Sequence, residues 1–142
     1  YNRTHAMKFA GSYTEPSIAR IANSDIGYVL GWNFQMYSGT PYRPLVFNNY
    51  YGSYANYDEY GDGRYTLPTF SQLDIRAGLN INVADRMTWM VGADVFNVFN
   101  DRTITSVATA YDPDDSLDEA AFGSVLDRQD PRRLQITIRG TF

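Results

Sequence analysis

A strict alternation of apolar and polar residues between Gln72 and Val83 constrains this chain more than any other feature of its sequence. The apolar side chains occupy one parity and the polar ones the other: Leu73, Ile75, Ala77, Leu79, Ile81 and Val83 against Gln72, Asp74, Arg76, Gly78, Asn80 and Asn82. Successive side chains of a β-strand point to opposite faces of the sheet. The segment therefore predicts a strand with one apolar and one polar face.

Four further segments show the same two-residue period. Their apolar parities are Met7, Phe9, Gly11 and Tyr13; Leu30, Trp32, Phe34 and Met36; Trp89, Val91, Ala93 and Val95; and Leu134, Ile136, Ile138, Gly140 and Phe142. The third pattern blurs at residues 96–99, where we expect a β-bulge to shift the register. The sequence thus predicts an all-β fold with five antiparallel strands.

The connections between these strands alternate in length. A few residues around 84–86 join the third strand to the fourth and residues 15–25 form an intermediate connection, whereas residues 38–70 and 100–132 are long and rich in Gly, Asp, Asn and Tyr. This order places both long loops at one end of the sheet. Short turns at one end and long loops at the other are typical of a transmembrane β-barrel. Strands of roughly 10 to 13 residues are also long enough to cross hydrocarbon at a tilt.

A soluble sandwich or a lipocalin-like barrel alternates in the same way. Three features favour the membrane barrel over this alternative. Soluble strands are shorter, at about 5 to 6 residues. Aromatic residues lie near strand ends, at Trp32, Phe34, Trp89 and Phe142, and charged residues lie in mid-strand, at Asp74, Arg76 and Asp94.

Composition and charge argue against several functions. A net charge of −4 argues against nucleic acid as a partner. With no Cys and only His5, the chain has no disulfide, no thiolate nucleophile and no multi-histidine metal site. The acidic segment from Asp112 to Glu119 lacks the Gly and Glu of a calcium-binding EF-hand, since Leu117 and Gly123 hold those positions. We expect no enzyme activity, no cofactor and no metal site.

No stretch approaches the roughly 20 apolar residues of a membrane-spanning helix. The first residues, from Tyr1, contain neither an initiator Met nor the apolar core of a signal peptide. We therefore expect the chain to be a piece of a longer protein.

Four sequence motifs together resemble the C-terminal strands of TonB-dependent outer-membrane receptors. They are SGTPY at residues 38–42, PTFSQLDIR at 68–76, GADVFNVFN at 92–100, and DPRRLQI at 130–136 running on to Phe142. Within that family the chain looks closest to Oar-like members, which carry a carboxypeptidase-regulatory-like N-terminal domain. The resemblance implies that residues 1–142 are the C-terminal part of a single barrel domain of about 22 strands. The plug, the TonB box and the remaining strands then lie outside this chain.

The resemblance also implies a location and partners. The location is the outer membrane of a Gram-negative cell, and the activity is the uptake of an unidentified ligand. The partners are outer-membrane lipid, the protein's own plug and remaining strands, the TonB complex and the barrel-assembly machinery.

Three groups of residues are candidates for recognition. Leu134, Ile136, Ile138 and Phe142 resemble the terminal signal for barrel insertion, although a plain last strand with an apolar face has the same pattern. A plug could contact the polar-face residues Asp74, Arg76, Asn80, Asp94, Gln135 and Arg139, or these could pair across the strands and merely satisfy a polar interior. Loop tyrosines could bind ligand or pack on one another: Tyr50, Tyr51, Tyr54, Tyr57 and Tyr60.

Three functions remain open on these grounds. The first is a TonB-dependent transporter, of which this chain supplies wall, loops and insertion signal. The second is a non-transporting outer-membrane barrel or adhesin, in which the Tyr-rich loop contacts a partner. The third is a soluble β domain that binds a small apolar ligand.

Overall fold

The computed structural model of the chain is all-β, and the residues that it describes contain no helix. The described residues are 3–48, 50, 52–56, 65–83, 86–111 and 122–142. Twelve strands occur in this part of the chain: β1 (Ala6–Ile21), β2 (Ser24–Tyr37), β3 (Pro41–Tyr42), β4 (Leu45–Asn48), β5 (Ser53–Asn56), β6 (Tyr65–Thr66), β7 (Phe70–Val83), β8 (Met87–Phe96), β9 (Ile104–Val107), β10 (Ala110–Tyr111), β11 (Val125–Arg128) and β12 (Arg133–Thr141). The all-β fold class predicted from the alternation is confirmed.

Five long strands form one sheet in the order β1-β2-β7-β8-β12, which is also their order along the chain. Each of the five alternating segments contributes one of these strands. The register is continuous from Ile75–Val95 to Val83–Met87 between β7 and β8, and from Arg133–Phe96 to Thr141–Thr88 between β8 and β12. Both pairs are antiparallel, as predicted. Among the described strands the sheet stays open, with β1 and β12 at its edges, and no closed barrel is seen.

One local expectation was wrong. Residues 15–25 are not an intermediate connection, because β1 continues to Ile21 and only Ala22 and Asn23 separate it from β2. A two-pronged ion pair between Arg20 and Asp25 spans this hairpin turn, with N–O distances of 2.9 and 3.0 Å. At residues 96–99, where the bulge is expected, the β7–β8 register shifts by one residue: β8 ends at Phe96, Asn97 turns the chain with a φ of 52°, and the Val98 N–H donates to the Leu73 carbonyl at 2.8 Å.

The chain divides into two compact units. The sheet unit comprises Met7–Gln35, Ser71–Asp101 and Pro131–Phe142, and the loop unit comprises Tyr1–Ala6, Met36–Phe70 and Arg102–Asp130. The loop unit contains most of the two long connections, which carry strands of their own. β3 pairs with β6, β4 pairs with β5 and, in parallel, with β10, and β9 pairs with β11.

Apart from Pro44, no apolar side chain is buried in the described part of the chain. The buried polar side chains there are Asp94, Asn97 and Gln129, and the most deeply buried is Asn97, at 2% exposure. Burial of apolar surface normally supplies most of the free energy of folding. The described residues therefore leave the sheet without the apolar core that usually stabilises one.

Candidate functional surfaces

The apolar face of the sheet unit is built from cross-strand rows of aliphatic and aromatic residues. Pairing of β7, β8 and β12 aligns four rows: Ile75–Val95–Leu134, Ala77–Ala93–Ile136, Leu79–Val91–Ile138 and Ile81–Trp89–Gly140. On the edge strand Leu134, Ile136 and Ile138 are 62, 67 and 68% exposed. Leu30, Trp32 and Phe9 continue the exposed apolar surface onto β2 and β1. The alternation in the sequence predicted which residues share this face. The strand pairing shows in addition which of them lie opposite one another.

A shallow apolar groove of ≈430 Å³ lies on this face. Small residues of β7 and β8 form part of its lining, among them Ala77, Gly78, Gly92 and Ala93. Larger side chains border it, including Tyr28 and Leu30 from β2 and Ile136 from β12. The groove offers apolar contacts and almost no polar ones.

At the C-terminal end of the face, Trp89 and Phe142 form an edge-to-face pair. Their ring centroids are 5.7 Å apart, and the planes meet at 88°. Phe142 is 83% exposed, and Trp89 is 36% exposed. The residues predicted as an insertion signal, Leu134, Ile136, Ile138 and Phe142, thus line the outermost strand of the sheet or follow it directly.

The polar face carries a charge pair in its middle. The Arg76 guanidinium donates from Nε to Oδ1 and from Nη2 to Oδ2 of Asp94, the latter at 3.2 Å. Asp94 is 6% exposed, and Gln135 lies opposite it on β12. Two rows further along, beyond Gly92, Met90 lies between Asn80 and Arg139. Arg76, Asp94, Gln135, Asn80 and Arg139 therefore share the face that the sequence assigned to them.

Asp74 has a local structural role that the sequence did not indicate. Its Oδ1 accepts the backbone N–H of Asn97 at 2.9 Å, and both of its carboxylate oxygens lie within hydrogen-bond distance of Gln72 Nε2. These bonds tie the start of β7 to the turn after β8. They favour the alternative that Asp74 satisfies neighbouring groups of its own sheet.

That turn is a polar corner centred on Asn97, and sequence reasoning missed it. The Asn97 side chain donates to the carbonyl of Asp101 at 2.8 Å and accepts the Asp101 N–H at 3.2 Å. Ser71 Oγ donates to Asp101 Oδ2 at 3.0 Å, and Asn100 Oδ1 accepts the N–H of Arg132 at 2.9 Å. Both Asn97 and Asn100 have positive φ, at 52 and 57°. The repeated Val-Phe-Asn at 95–97 and 98–100 was the available signal, since Asn tolerates this conformation better than most residues do.

The loop tyrosines divide into packed and exposed ones. Tyr42 stacks on Tyr65 at 5.5 Å, and Tyr65 meets Phe122 edge-on at 5.6 Å. Tyr54 packs edge-on against Phe47 at 5.1 Å and stays 51% exposed, whereas Tyr50 is 88% exposed. Tyr51, Tyr57 and Tyr60 lie outside the described residues, as does the acidic segment 112–120. Part of the aromatic set therefore packs on itself, whereas the Tyr50 side chain is largely exposed.

The described residues contain neither of two further features. No group of three or more His, Asp or Glu side chains there could hold a metal ion. No helix in that part of the chain is long and apolar enough to cross a membrane.

Comparison with known proteins gives no relative: no family model matches the chain, and neither a curated protein nor a solved structure matches it.

Proposed function

We propose that this chain is the C-terminal part of a β-barrel of the TonB-dependent receptor type, which takes up an unidentified ligand across the outer membrane of a Gram-negative cell. The observation that carries the proposal is the uncovered apolar face of the five-stranded sheet, backed by a polar face with the Arg76–Asp94 pair. The resemblance of the strand motifs to that family supports the narrower proposal that the barrel is of the TonB-dependent receptor type.

Lipid is the environment that suits this face best. Antiparallel sheets in water normally pack one face on a core, and contiguous apolar patches beyond a few hundred Å² are rare on soluble monomers. Here the apolar rows extend over three paired strands and continue onto β2 and β1 with no described residue covering them. In hydrocarbon the same surface needs no cover.

The length of the alternation fits a bilayer. Ten residue steps separate Leu73 from Val83. At about 3.4 Å per residue and a tilt of about 40°, they cover about 26 Å along the membrane normal, close to the roughly 25 Å apolar band of such barrels.

The open edges support a barrel over a free sheet. β1 and β12 are edge strands, and their outer N–H and C=O groups would find no water within hydrocarbon. Closure against further strands would satisfy them. In the complete barrel the polar face lines the lumen, where the exposed side chains of Arg76 and Gln135 are available to a plug.

A charge placed on each face tests the lipid assignment. We compare Leu79→Arg, on the apolar face, with its neighbour Asn80→Arg on the polar face, in the intact protein produced in its own cells. An Arg facing lipid near the bilayer midplane costs about 2–4 kcal/mol, whereas lumen positions tolerate charge. We expect folded, heat-modifiable protein in the outer membrane to fall more than tenfold for Leu79→Arg and less than twofold for Asn80→Arg.

A water-exposed face would give the opposite result. Leu79 is 46% exposed, so in water an Arg there would remove apolar surface and cost little. Normal amounts of Leu79→Arg protein, washed from the membrane with alkaline carbonate, would leave a soluble β domain as the better reading.

The non-transporting barrel or adhesin is the second candidate, and the exposed ring of Tyr50 favours it. Tyr50 lies between β4 and β5, where its N–H donates to Asn48 Oδ1 at 2.9 Å. In-cell formaldehyde cross-linking of the intact protein to TonB separates the two functions. A transporter gives a cross-link, and an adhesin gives none.

A further inference from the structure

Glu15 is the one charged residue on the apolar face of the five described strands of the sheet. The Tyr13 hydroxyl, two residues earlier on the same face of β1, donates to Glu15 Oε2 at 3.1 Å. The ring of Tyr13 lies 5.9 Å from the ring of Tyr28, which borders the apolar groove. Tyr13, Glu15 and Tyr28 thus form a polar cluster, the Glu15 cluster, at one end of the groove.

The neighbouring strands place Glu15 within the sheet. On β1 it lies beside Tyr28 of β2, because a β-carbon built on Gly27 would meet the Glu15 carbonyl. On β7 Leu79 lies beside the same Tyr28, because a β-carbon built on the residue before Leu79 would lie 3.0 Å from Val29 Cγ1. Glu15 is therefore in the row of Leu79, two strands away.

This row lies near the middle of the apolar band of the proposed barrel. Leu79 is one residue, or about 3 Å, from the centre of the alternation between Leu73 and Val83. Two strand spacings at a tilt of about 40° change the depth by about 6 Å. Glu15 is then within about 9 Å of the middle of a band with a half-height of about 12 Å, whichever way the strands tilt. Lipid headgroups lie outside this band and do not supply its carboxylate with a counter-charge.

A carboxylate at this depth needs a protein partner. Ionisable side chains in hydrocarbon are costly and normally pair with a cation or another polar group of protein. The Tyr13 hydroxyl gives Glu15 one neutral hydrogen bond. An Arg or Lys against Glu15 would compensate the charge itself.

Neither a second copy of the chain nor a closing strand fits the whole site. No apolar-face position of the five described strands carries Lys or Arg, so a second copy packed through the same face would bring no cation. A further strand bonded to the edge of β1 would lie beside the sheet, whereas the groove extends across it from β2 to β12. A cover for both the Glu15 cluster and the groove therefore comes from outside the wall.

We propose that the Glu15 cluster and the adjoining groove are the docking surface for a membrane-embedded segment of another protein. The segment places an Arg or Lys against Glu15 and apolar side chains in the groove. This inference rests on the proposed membrane barrel and adds a partner on its outer wall.

Site-specific photo-cross-linking in the cells that make the intact protein tests the docking surface. p-Benzoylphenylalanine replaces Leu30, which lines the groove and is 43% exposed. The matched control replaces Ile75, which is 40% exposed on the same face but outside the groove. Each is examined with Glu15 and with Glu15→Gln, and cross-linked peptides are mapped by mass spectrometry.

We expect the group at position 30 to capture a membrane-spanning peptide of a second protein that carries Arg or Lys. Glu15→Gln should lower the yield of this product more than fivefold, because it removes the charge that the basic residue meets. Glu15→Lys combined with Glu at the partner's basic position should restore at least half of the yield. The group at position 75 should give mainly lipid adducts with either residue at position 15.

Four results would overturn the docking surface: lipid adducts alone from position 30, cross-links confined to the protein's own chain, a species of doubled mass, or a yield that Glu15→Gln leaves unchanged. A charge exchange without recovery would overturn the assigned ion pair.

The two proposals fail in different ways. A protein that alkaline carbonate washes from the membrane refutes the barrel itself. A protein that stays in the outer membrane, with position 30 in contact with lipid alone, refutes only the docking surface.

Discussion

Trp89 on β8 lies directly opposite Gly140 on β12, and its ring occupies the space that a side chain at position 140 would need. A β-carbon built on Gly140 would lie 3.0 Å from Trp89 Cζ3 and 3.1 Å from Cη2. Phe142 holds the same ring from the side, with centroids 5.7 Å apart. An aromatic ring covering a glycine on the neighbouring edge strand is a known way to fix sheet register.

Gly140→Ala should therefore displace the Trp89 ring and destabilise the end of the sheet. We expect a loss of about 1 kcal/mol in the free energy of unfolding, at the low end of overpacking effects, because the ring can tilt. In a Trp32→Phe background Trp89 is the only tryptophan, so its emission maximum should shift as well. Gly92→Ala is the control, since a β-carbon there meets its nearest atom at 3.6 Å. Equal effects of the two substitutions would contradict the role of Trp89.

Substituting Arg76 should destabilise the protein more than substituting its partner Asp94. Asp94 is 6% exposed, whereas the Arg76 side chain is 57% exposed. Arg76→Gln leaves a buried carboxylate without its charge partner, but Asp94→Asn leaves a guanidinium that water can reach. We expect a larger fall in the denaturation midpoint for Arg76→Gln than for Asp94→Asn, and a double variant less impaired than the sum of the two.

Arg139→Gln is the matched control for this pair, because it removes a guanidinium from the same face opposite Met90. Its denaturation midpoint should stay near that of the unmodified protein. A strictly additive double variant at Arg76 and Asp94 would show that the pair is not coupled.

Substitutions of Asn97 should lower the free energy of unfolding through both its side-chain hydrogen bonds and its backbone conformation. Asn97→Ala removes two hydrogen bonds to Asp101 and keeps a β-carbon at a φ of 52°. At about 1 kcal/mol per bond and roughly 1 for the left-handed backbone, we expect a loss of about 3 kcal/mol in the free energy of unfolding. Asn97→Gly should recover about 1 kcal/mol of it, because glycine adopts positive φ without a steric cost. If both variants unfold at the same denaturant concentration, the backbone contribution is refuted.

A glycine in the hairpin turn between β1 and β2 should stabilise the protein. Ala22 has a φ of 53°, and positive φ at the first position of a two-residue turn favours Gly, Asn or Asp. We expect Ala22→Gly to raise the free energy of unfolding by about 0.5 kcal/mol, the net of relieved strain and lost chain rigidity. Ala19→Gly, within β1, should lower it by about 0.5–1 kcal/mol. Urea titrations of the two variants check this prediction: the free energy of unfolding should rise for Ala22→Gly and fall for Ala19→Gly.

The sequence predicted the five long strands and the residues that share each face. Alternation is a local property, so that the parity of Leu79 against Asn80, or of Ile136 against Gln135, could be read without knowing any partner strand. It did not predict the length of β1. The alternation fades beyond Tyr13, and pairing with β2 rather than local pattern extends the strand to Ile21.

Contacts between residues distant in the sequence were decided only by the tertiary structure. The Arg76–Asp94 pair and the Trp89–Gly140 contact depend on the register between strands. Hydrogen bonds to Asp74 and Asp101 hold Asn97 in place. The parallel pairing of β4 with β10 joins two long connections that no local pattern relates. A two-residue period fixes the face on which a side chain lies, but register, corners and loop pairing are set by the free energy of contacts that form only when separate segments meet.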